Sequence, residues 1–153
     1  DRGHAWAPGE AALVARHPDR ETLIRSFRAR WHDMVPGAIA DCVDMLKTLT
    51  AAGFDVTALT NFNGETFDDA SERFDFFELF RGMTVSGKVG LLKPEPEIFQ
   101  HHAAAFSLVP AATVFIDDVA ANVGAARKAG WHALQFVSPD RLRRDLRLLG
   151  VHV

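Results

Sequence analysis

Cysteine, long apolar runs and a surplus of positive charge are what this 153-residue chain has least of. Its single cysteine, Cys42, has no partner for an internal disulfide, so nothing asks for an oxidising compartment and a cytoplasmic setting is expected. The longest apolar stretch, residues 106–116, is interrupted by Ser107, Pro110 and Thr113 and falls well short of the roughly 20 residues of a membrane span. No basic start followed by an apolar run marks a signal peptide, so neither a span nor a leader is expected. Lys and Arg number 17 against 20 Asp and Glu, a formal net charge of −3, which leaves no footprint for nucleic acid or an anionic membrane. What remains is an ordinary globular composition, 48% hydrophobic, enough to bury a core.

Residues 1–35 are rich in Arg, Ala, His and Trp. Leu13 and Val14, then Leu23, Ile24, Phe27 and Trp31, recur at helical spacing between turn signals at Pro8-Gly9 and His17-Pro18-Asp19, which predicts two helices. Pro36 fixes its own φ and turns Val35 away from the helical region, so Val35-Pro36-Gly37 is expected to be a hinge. Ile39, Cys42, Val43, Leu46 and Leu49 then form one apolar stripe of a helix that stops at Ala52-Gly53, with Cys42 a small buried hydrophobe. A short strand is expected over 54–59. The helix-then-strand pattern returns twice: helix 96–106 before strand 113–116, and helix 119–129 before strand 131–137, with a last helix presenting Leu142, Leu146 and Leu149 inward. This alternation predicts an α/β fold, a Rossmann-like parallel sheet with helices on both faces, whose strand carboxyl ends share one ligand-binding edge.

Three polar signals fall at that edge: Thr60-Asn61, Lys93-Pro94 and Asp117-Asp118. Adjacent carboxylates at the end of a buried strand repel and lose hydration unless a cation or hydrogen bonds offset them, and Mg²⁺, an oxygen-seeking ion held by one or two carboxylates with a substrate phosphate, is the simplest remedy. Asp118 also suits an N-cap of the helix beginning at Val119, which leaves Asp117 unexplained. Prolines on both sides of Glu95 stiffen the approach to a helix and so fix where Lys93 points. Thr60 and Asn61 form either a turn or, with backbone N–H groups just past a strand end, a place for phosphate oxygens.

In that order the set resembles the haloacid dehalogenase superfamily of hydrolases. Ala58-Leu59-Thr60-Asn61-Phe62 is similar to its second motif, residues 90–99 with Lys93 to its third, and residues 115–130 with Asp117-Asp118 and Asn122 to its fourth. Residues 1–35 resemble the later part of the small helical cap found in the branch of sugar-phosphate phosphatases and the phosphatase domain of soluble epoxide hydrolases, with 36–153 as the core. The resemblance implies a phosphatase acting on a small phosphorylated metabolite, with Mg²⁺ as cofactor and a phospho-aspartyl intermediate. Thr60 and Asn61 would then hold phosphoryl oxygens, Lys93 neutralise the phosphoryl group, Asp118 and Asp117 bind Mg²⁺, and Asn122 support the metal's surroundings.

The family's first motif, an apolar strand ending in the nucleophilic aspartate, has no counterpart before Thr60. The expected core therefore lacks its central strand between those ending at Thr60 and Asp117, the chain is expected to be the C-terminal portion of a longer protein, and on its own it is expected to be inactive. The rival readings are a non-catalytic binding module of the same fold and a 2-haloacid dehalogenase, which the paired acids disfavour. Gly82–Lys88 fits the start of a P-loop, but Val89 stands where Ser or Thr is needed and no helix is expected to follow, so it is read as a chance match in a loop. His101 and His102 point about 100° apart on a helix and are expected at the surface. Arg25, Arg28 and Arg30, and Arg141, Arg143, Arg144 and Arg147, are expected to be solvated faces, and Phe27 and Trp31 core.

Overall fold

The computed structural model describes residues 2–152. Residues 6–34 are helical, but with three helices rather than two: α1 (Trp6–Arg16), α2 (Glu21–Ala29) and the single turn α3 (Trp31–Met34), with a 3₁₀ turn at Pro18–Arg20. The stop at Ala29 and restart at Trp31 hinge on Arg30, whose backbone at φ −109°, ψ 20° is not helical. Residues 35–39 carry no regular structure. Beyond them α4 (Ala40–Ala51) buries Met45 and Leu46, and Cys42 is half-buried at its edge.

The expected strand at 54–59 contracts to β1 (Ala58–Thr60), because Phe54 is 46% exposed and regular pairing begins only at Ala58. Two elements escape the sequence reading. One is α5 (Gly64–Arg73), started by Asn63, whose side chain accepts from the N–H groups of Glu65 and Thr66. The other is β2 (Met83–Val85), which lies parallel to β1 with Leu59 opposite Thr84 and is followed by the single turn α6 (Ser86–Val89). The stretch 82–88 is thus a strand and a helical turn, not a loop. Three residues of strand are too few for an alternation to register, and only the neighbour 25 positions earlier makes them a strand.

Helix α7 (Pro96–Ala105), β3 (Val114–Asp117), α8 (Ala120–Lys128), β4 (His132–Gln135) and α9 (Pro139–Leu148) follow. Strands β3 and β4 are parallel, Phe115 opposite Ala133, and covered on both faces. On one face Ile98 and Phe99 of α7, Phe115, Val123 and Ala126 of α8, Trp131 and Ala133 form a core in which Ile98, Phe99 and Ala126 are fully buried. On the other, Met45 of α4 packs with Leu142 and Leu146 of α9 against Val114, Leu134 and Phe136. Period-two side chains on a sheet require this division.

The four strands do not form one sheet: β1 pairs only with β2 and β3 only with β4 among the described residues. Ala58 N–H donates to Gly82 O on the β2 side, so Leu59, next along, turns its carbonyl the other way. His132 N–H and Phe136 N–H likewise donate to Thr113 O and Asp117 O, which leaves Ile116 facing an open edge. Among the described residues no helix is long and apolar enough to cross a membrane.

His102 corrects a sequence expectation. It is 3% exposed, its Nε2 lying 3.0 Å from Thr57 Oγ1 and its Nδ1 2.8 Å from Thr84 Oγ1, with Trp131 stacked on its ring. Burial, then the charges of His101, Lys93 and Arg81, lowers its pKa to about 4, so the ring is neutral and pins α7 to the β1–β2 pair.

Candidate active site

Lys93 bridges the two strand pairs. It follows the turn after α6 and is held by its own backbone: Lys93 N–H donates to Asn61 Oδ1 at 2.9 Å, and Asn61 Nδ2 donates to Lys93 O at 2.9 Å. This reciprocal clamp joins the loop after β1 to the loop before α7. The lysine Nζ then donates to Leu59 O on the open side of β1, at 2.8 Å, and to Asp117 Oδ2 at the end of β3, at 2.7 Å. Both charged side chains are buried, 8% and 5% exposed. An ammonium has three N–H donors, so one remains for an incoming oxygen.

Asp117 is the most engaged of the predicted residues. Its Oδ2 accepts from Lys93, while its Oδ1 accepts from Val119 N–H at 2.8 Å and from Asn122 Nδ2 at 2.9 Å. Asp118 does not cap α8, and no side chain among the described residues does; Asp117 Oδ1 instead holds the N–H of Val119, the residue just before the first turn. The reason is geometric: the helix begins one residue later than expected, with Val119 as the cap position, and the buried carboxylate two residues before it is the one within reach. Asp118 is exposed, its backbone carbonyl accepting from Gln135 Nε2, and among the described residues its carboxylate takes no hydrogen bond or ion pair. Thr60 closes β1 half-buried, its hydroxyl likewise without a partner among the described residues. The structure thus joins Asn61, Lys93, Asp117 and Asn122 in one network and leaves Thr60 and Asp118 free beside it in sequence.

The oxygen donors suit a hard divalent cation in part: Asp118 is free, and one lone pair remains on Asp117 Oδ2. No group of three His, Cys, Asp or Glu that could hold an ion occurs among the described residues.

Two residues that shape the site escape sequence reasoning. Ser86, fully buried, accepts from Phe62 N–H at 2.9 Å and donates to Phe62 O at 3.2 Å, fixing the loop just past Asn61. Gly87 lies against the same loop, where a Cβ would stand 2.4 Å from Gly64 N and 2.6 Å from Phe62 O. No local pattern announces either residue, because their partners are about two dozen positions away.

Arg25 pairs with Glu21 and Glu10, Arg28 with Asp69 and Arg30 with Asp33, so these arginines are ion-paired among the described residues. Arg141 and Arg143 pair along α9 with Asp145 and Asp140. Trp31 is buried as expected, whereas Phe27 is 51% exposed. Phe27 lines a groove of about 920 Å³ with Trp6, Leu13, Leu23 and Met34, which reaches Asn63.

The family model for haloacid dehalogenase-like hydrolases matches residues 9–136. The chain belongs to that family. It is therefore a member of a hydrolase family, and its α/β architecture is the Rossmann-type core of these proteins. Among curated relatives, the sesquiterpene phosphatase astK of Aspergillus oryzae is 29% identical over 110 residues, 72% of this chain and 56% of that protein. The chain spans about half the length of that relative, and a tenth to a fifth of two longer ones. Among solved structures, an uncharacterised protein from Corynebacterium glutamicum is 24% identical with a TM-score of 0.65, over 78% of this chain and 90% of that one. A HAD family enzyme from Bacteroides thetaiotaomicron, solved with magnesium and inorganic phosphate, is 22% identical with a TM-score of 0.56, over 72% of this chain and 67% of that one. These likenesses establish the fold.

Proposed function

We propose that this hydrolase is a Mg²⁺-dependent phosphatase acting on a small phosphate monoester, and that its nucleophilic aspartate arrives on a strand entering between β1 and β3. The observation that carries the reading is the Lys93 ammonium, buried between Leu59 O and Asp117 Oδ2 with one N–H to spare. Asp117 already compensates the charge of this buried ammonium, but its third N–H has no acceptor among the described residues, and a phosphoryl oxygen would satisfy it. At about 4 Å and an effective dielectric near 20, its attraction for a phosphoryl oxygen is on the order of 4 kcal/mol.

In this reading Lys93 neutralises charge on the phosphoryl oxygens, the Thr60 hydroxyl donates to one of them and the loop at Asn61 holds another. Asp118, with Asp117, would hold Mg²⁺, which supplies further neutralisation of the phosphoryl group. Asn122 keeps Asp117 oriented. The incoming carboxylate attacks phosphorus as the bond to the leaving alkoxide breaks and that oxygen takes a proton from water; a water then attacks the same phosphorus, breaking the phospho-aspartate P–O bond to release inorganic phosphate and return the carboxylate. Residues 1–35 act as part of a cap over the leaving group. The apolar groove at Trp6, Leu13, Leu23 and Phe27, together with the likeness to a sesquiterpene phosphatase, favours an apolar leaving group over a sugar.

The test is phosphate release from p-nitrophenyl phosphate by the polypeptide its natural gene encodes. Mg²⁺-dependent release that falls at least ~100-fold in Lys93→Ala and in Asp118→Ala supports the reading, by the scale of lost transition-state electrostatics. No release overturns it. Release by the 153-residue chain alone, abolished by Asp118→Ala, overturns the need for an added strand.

A further inference from the structure

Helix α5 carries a polar stripe that no catalytic role absorbs. Glu65, Asp69 and Arg73 recur at i, i+4 and i+8, one face of the helix, while Thr66, Phe67 and Ala70 are buried on another. Each member of the stripe reaches the helical segment α1–α3. Glu65 Oε1 accepts from Trp6 N–H at 2.8 Å, at the start of α1. Asp69 Oδ2 pairs with Arg28 of α2 at 2.7 Å, both side chains about one-third exposed. Arg73 donates to three carbonyls, His32 O at 3.3 Å, Val35 O at 2.9 Å and Pro36 O at 3.3 Å, which belong to the end of α3 and the unstructured link after it. The N-cap Asn63 adds a fourth tie, Nδ2 to His4 O at 3.3 Å.

The geometry points to α5 as a strut that sets the helical segment on the core, with Arg73 as the positioning residue at its pivot. Short helices leave their last carbonyls without partners, and an irregular link has none of its own, so a guanidinium fork among three such oxygens fixes a segment the backbone leaves free. Gly37, the next residue along, has no atom within 4 Å of where a Cβ would stand, so the link is open on its far side. Lysine cannot replace the fork, since a compact ammonium on a flexible stem does not span three separated acceptors. The strut's other end matters equally. Its N-cap is the third residue after Thr60, and the loop between carries Asn61, the clamp of Lys93. A shift of the helical segment therefore reaches the loop that orients the lysine. The mechanical part of this proposal is independent of the phosphatase reading; only its consequence for turnover rests on it.

Hydrogen exchange on the chain itself tests the strut without any substrate. Arg73→Ala and Arg73→Lys are both expected to speed amide exchange at residues 32–38 and in α1–α3 at least tenfold, with the β3–β4 ladder unchanged. Arg28→Asp is expected to speed exchange in α1 and α2, and the paired swap Arg28→Asp with Asp69→Arg to restore it. Exchange at 32–38 that is unchanged in both Arg73 variants overturns the proposal, as does acceleration spread evenly over the whole chain or a swap that fails to restore protection. In the active polypeptide, Arg73→Lys is further expected to raise KM for p-nitrophenyl phosphate more than it lowers kcat, a split that loss of stability alone does not produce.

Discussion

The β3–β4 pair and the β1–β2 pair are held by different physics. Around β3 and β4 the sheet is covered on both faces by apolar side chains, and Ile98, Phe99 and Ala126 have no exposed surface at all. Around β1 and β2 a smaller apolar set, Val85 and the edge-on rings of Phe62, Phe67 and Phe77, is joined by polar, directional ties: the Thr57–His102–Thr84 bridge, the Ser86 bonds to Phe62, and the paired hydrogen bonds of Arg81 to Asp55. Apolar burial is indifferent to direction and fills one half of the molecule solidly. Directional bonds fix the aim of a few groups at modest net stabilisation, and they surround the site. The rigid half supplies Asp117 and the aimed half supplies Asn61 and Lys93.

The contrast can be broken first at its strong side. Phe99→Ala removes a fully buried ring packed edge-on against Phe115 and Trp131 and is expected to cost about 4 kcal/mol, read from the shift in urea midpoint. An unchanged midpoint would show that the apolar half does not carry the fold. The boundary between the halves comes next. Asp117→Ala strands the Lys93 ammonium in a site only 8% exposed and is expected to cost about 3 kcal/mol, whereas the double change Lys93→Met with Asp117→Leu restores most of that loss. A double variant no more stable than the single one would mean that the pair does more for the fold than its charges explain.

The smallest effect is the pH response of the polar half. The folded-state pKa of His102, about 4, lies below the 6.5 of a free imidazole, so the unfolded chain binds the proton more tightly. Stability from this group is complete above pH 6.5 and declines as the pH falls toward 4. Between pH 7.5 and 5 the decline is expected to be about 2 kcal/mol, seen as a falling urea midpoint that flattens in His102→Gln relative to the native chain. Equal slopes in the two proteins would remove His102 from the acid response.

How much of this was legible in the sequence follows the same division. The apolar half declares itself locally: Leu46 in the stripe of α4, Phe99 in a helix begun by Pro96, and a strand running into Asp117 all carry their pattern within a dozen residues, although Ile39 of that stripe is 54% exposed and Met45, outside it, is buried. So do the motif residues, since Asn61, Lys93, Asp117 and Asn122 come together in one network. The polar half depends on partners distant in sequence. Thr57 lies 45 positions from His102 and Thr84 lies 18, so no local window shows why that histidine is buried. Asn63-Gly64 reads as a turn until Glu65 and Thr66 donate to the asparagine and make it a helix cap. That Asp117 rather than Asp118 takes a backbone N–H beside α8 depends on a one-residue shift in where that helix starts.

The open side of β1 sets a condition on any strand that enters there. Sheets commonly guard an edge against stray chains with a lysine on the edge strand; here the lysine comes from a loop, Lys93, whose buried ammonium is bonded to Leu59 O on the open side of β1. A wholly apolar strand sliding between β1 and β3 would strip water from its spare N–H and give nothing back. A strand that ends in a carboxylate or a neutral acceptor repays that desolvation at once. The same ammonium that suits a phosphoryl oxygen is therefore an admission rule for the sheet, refusing strands by the chemistry of their last residue rather than by their shape.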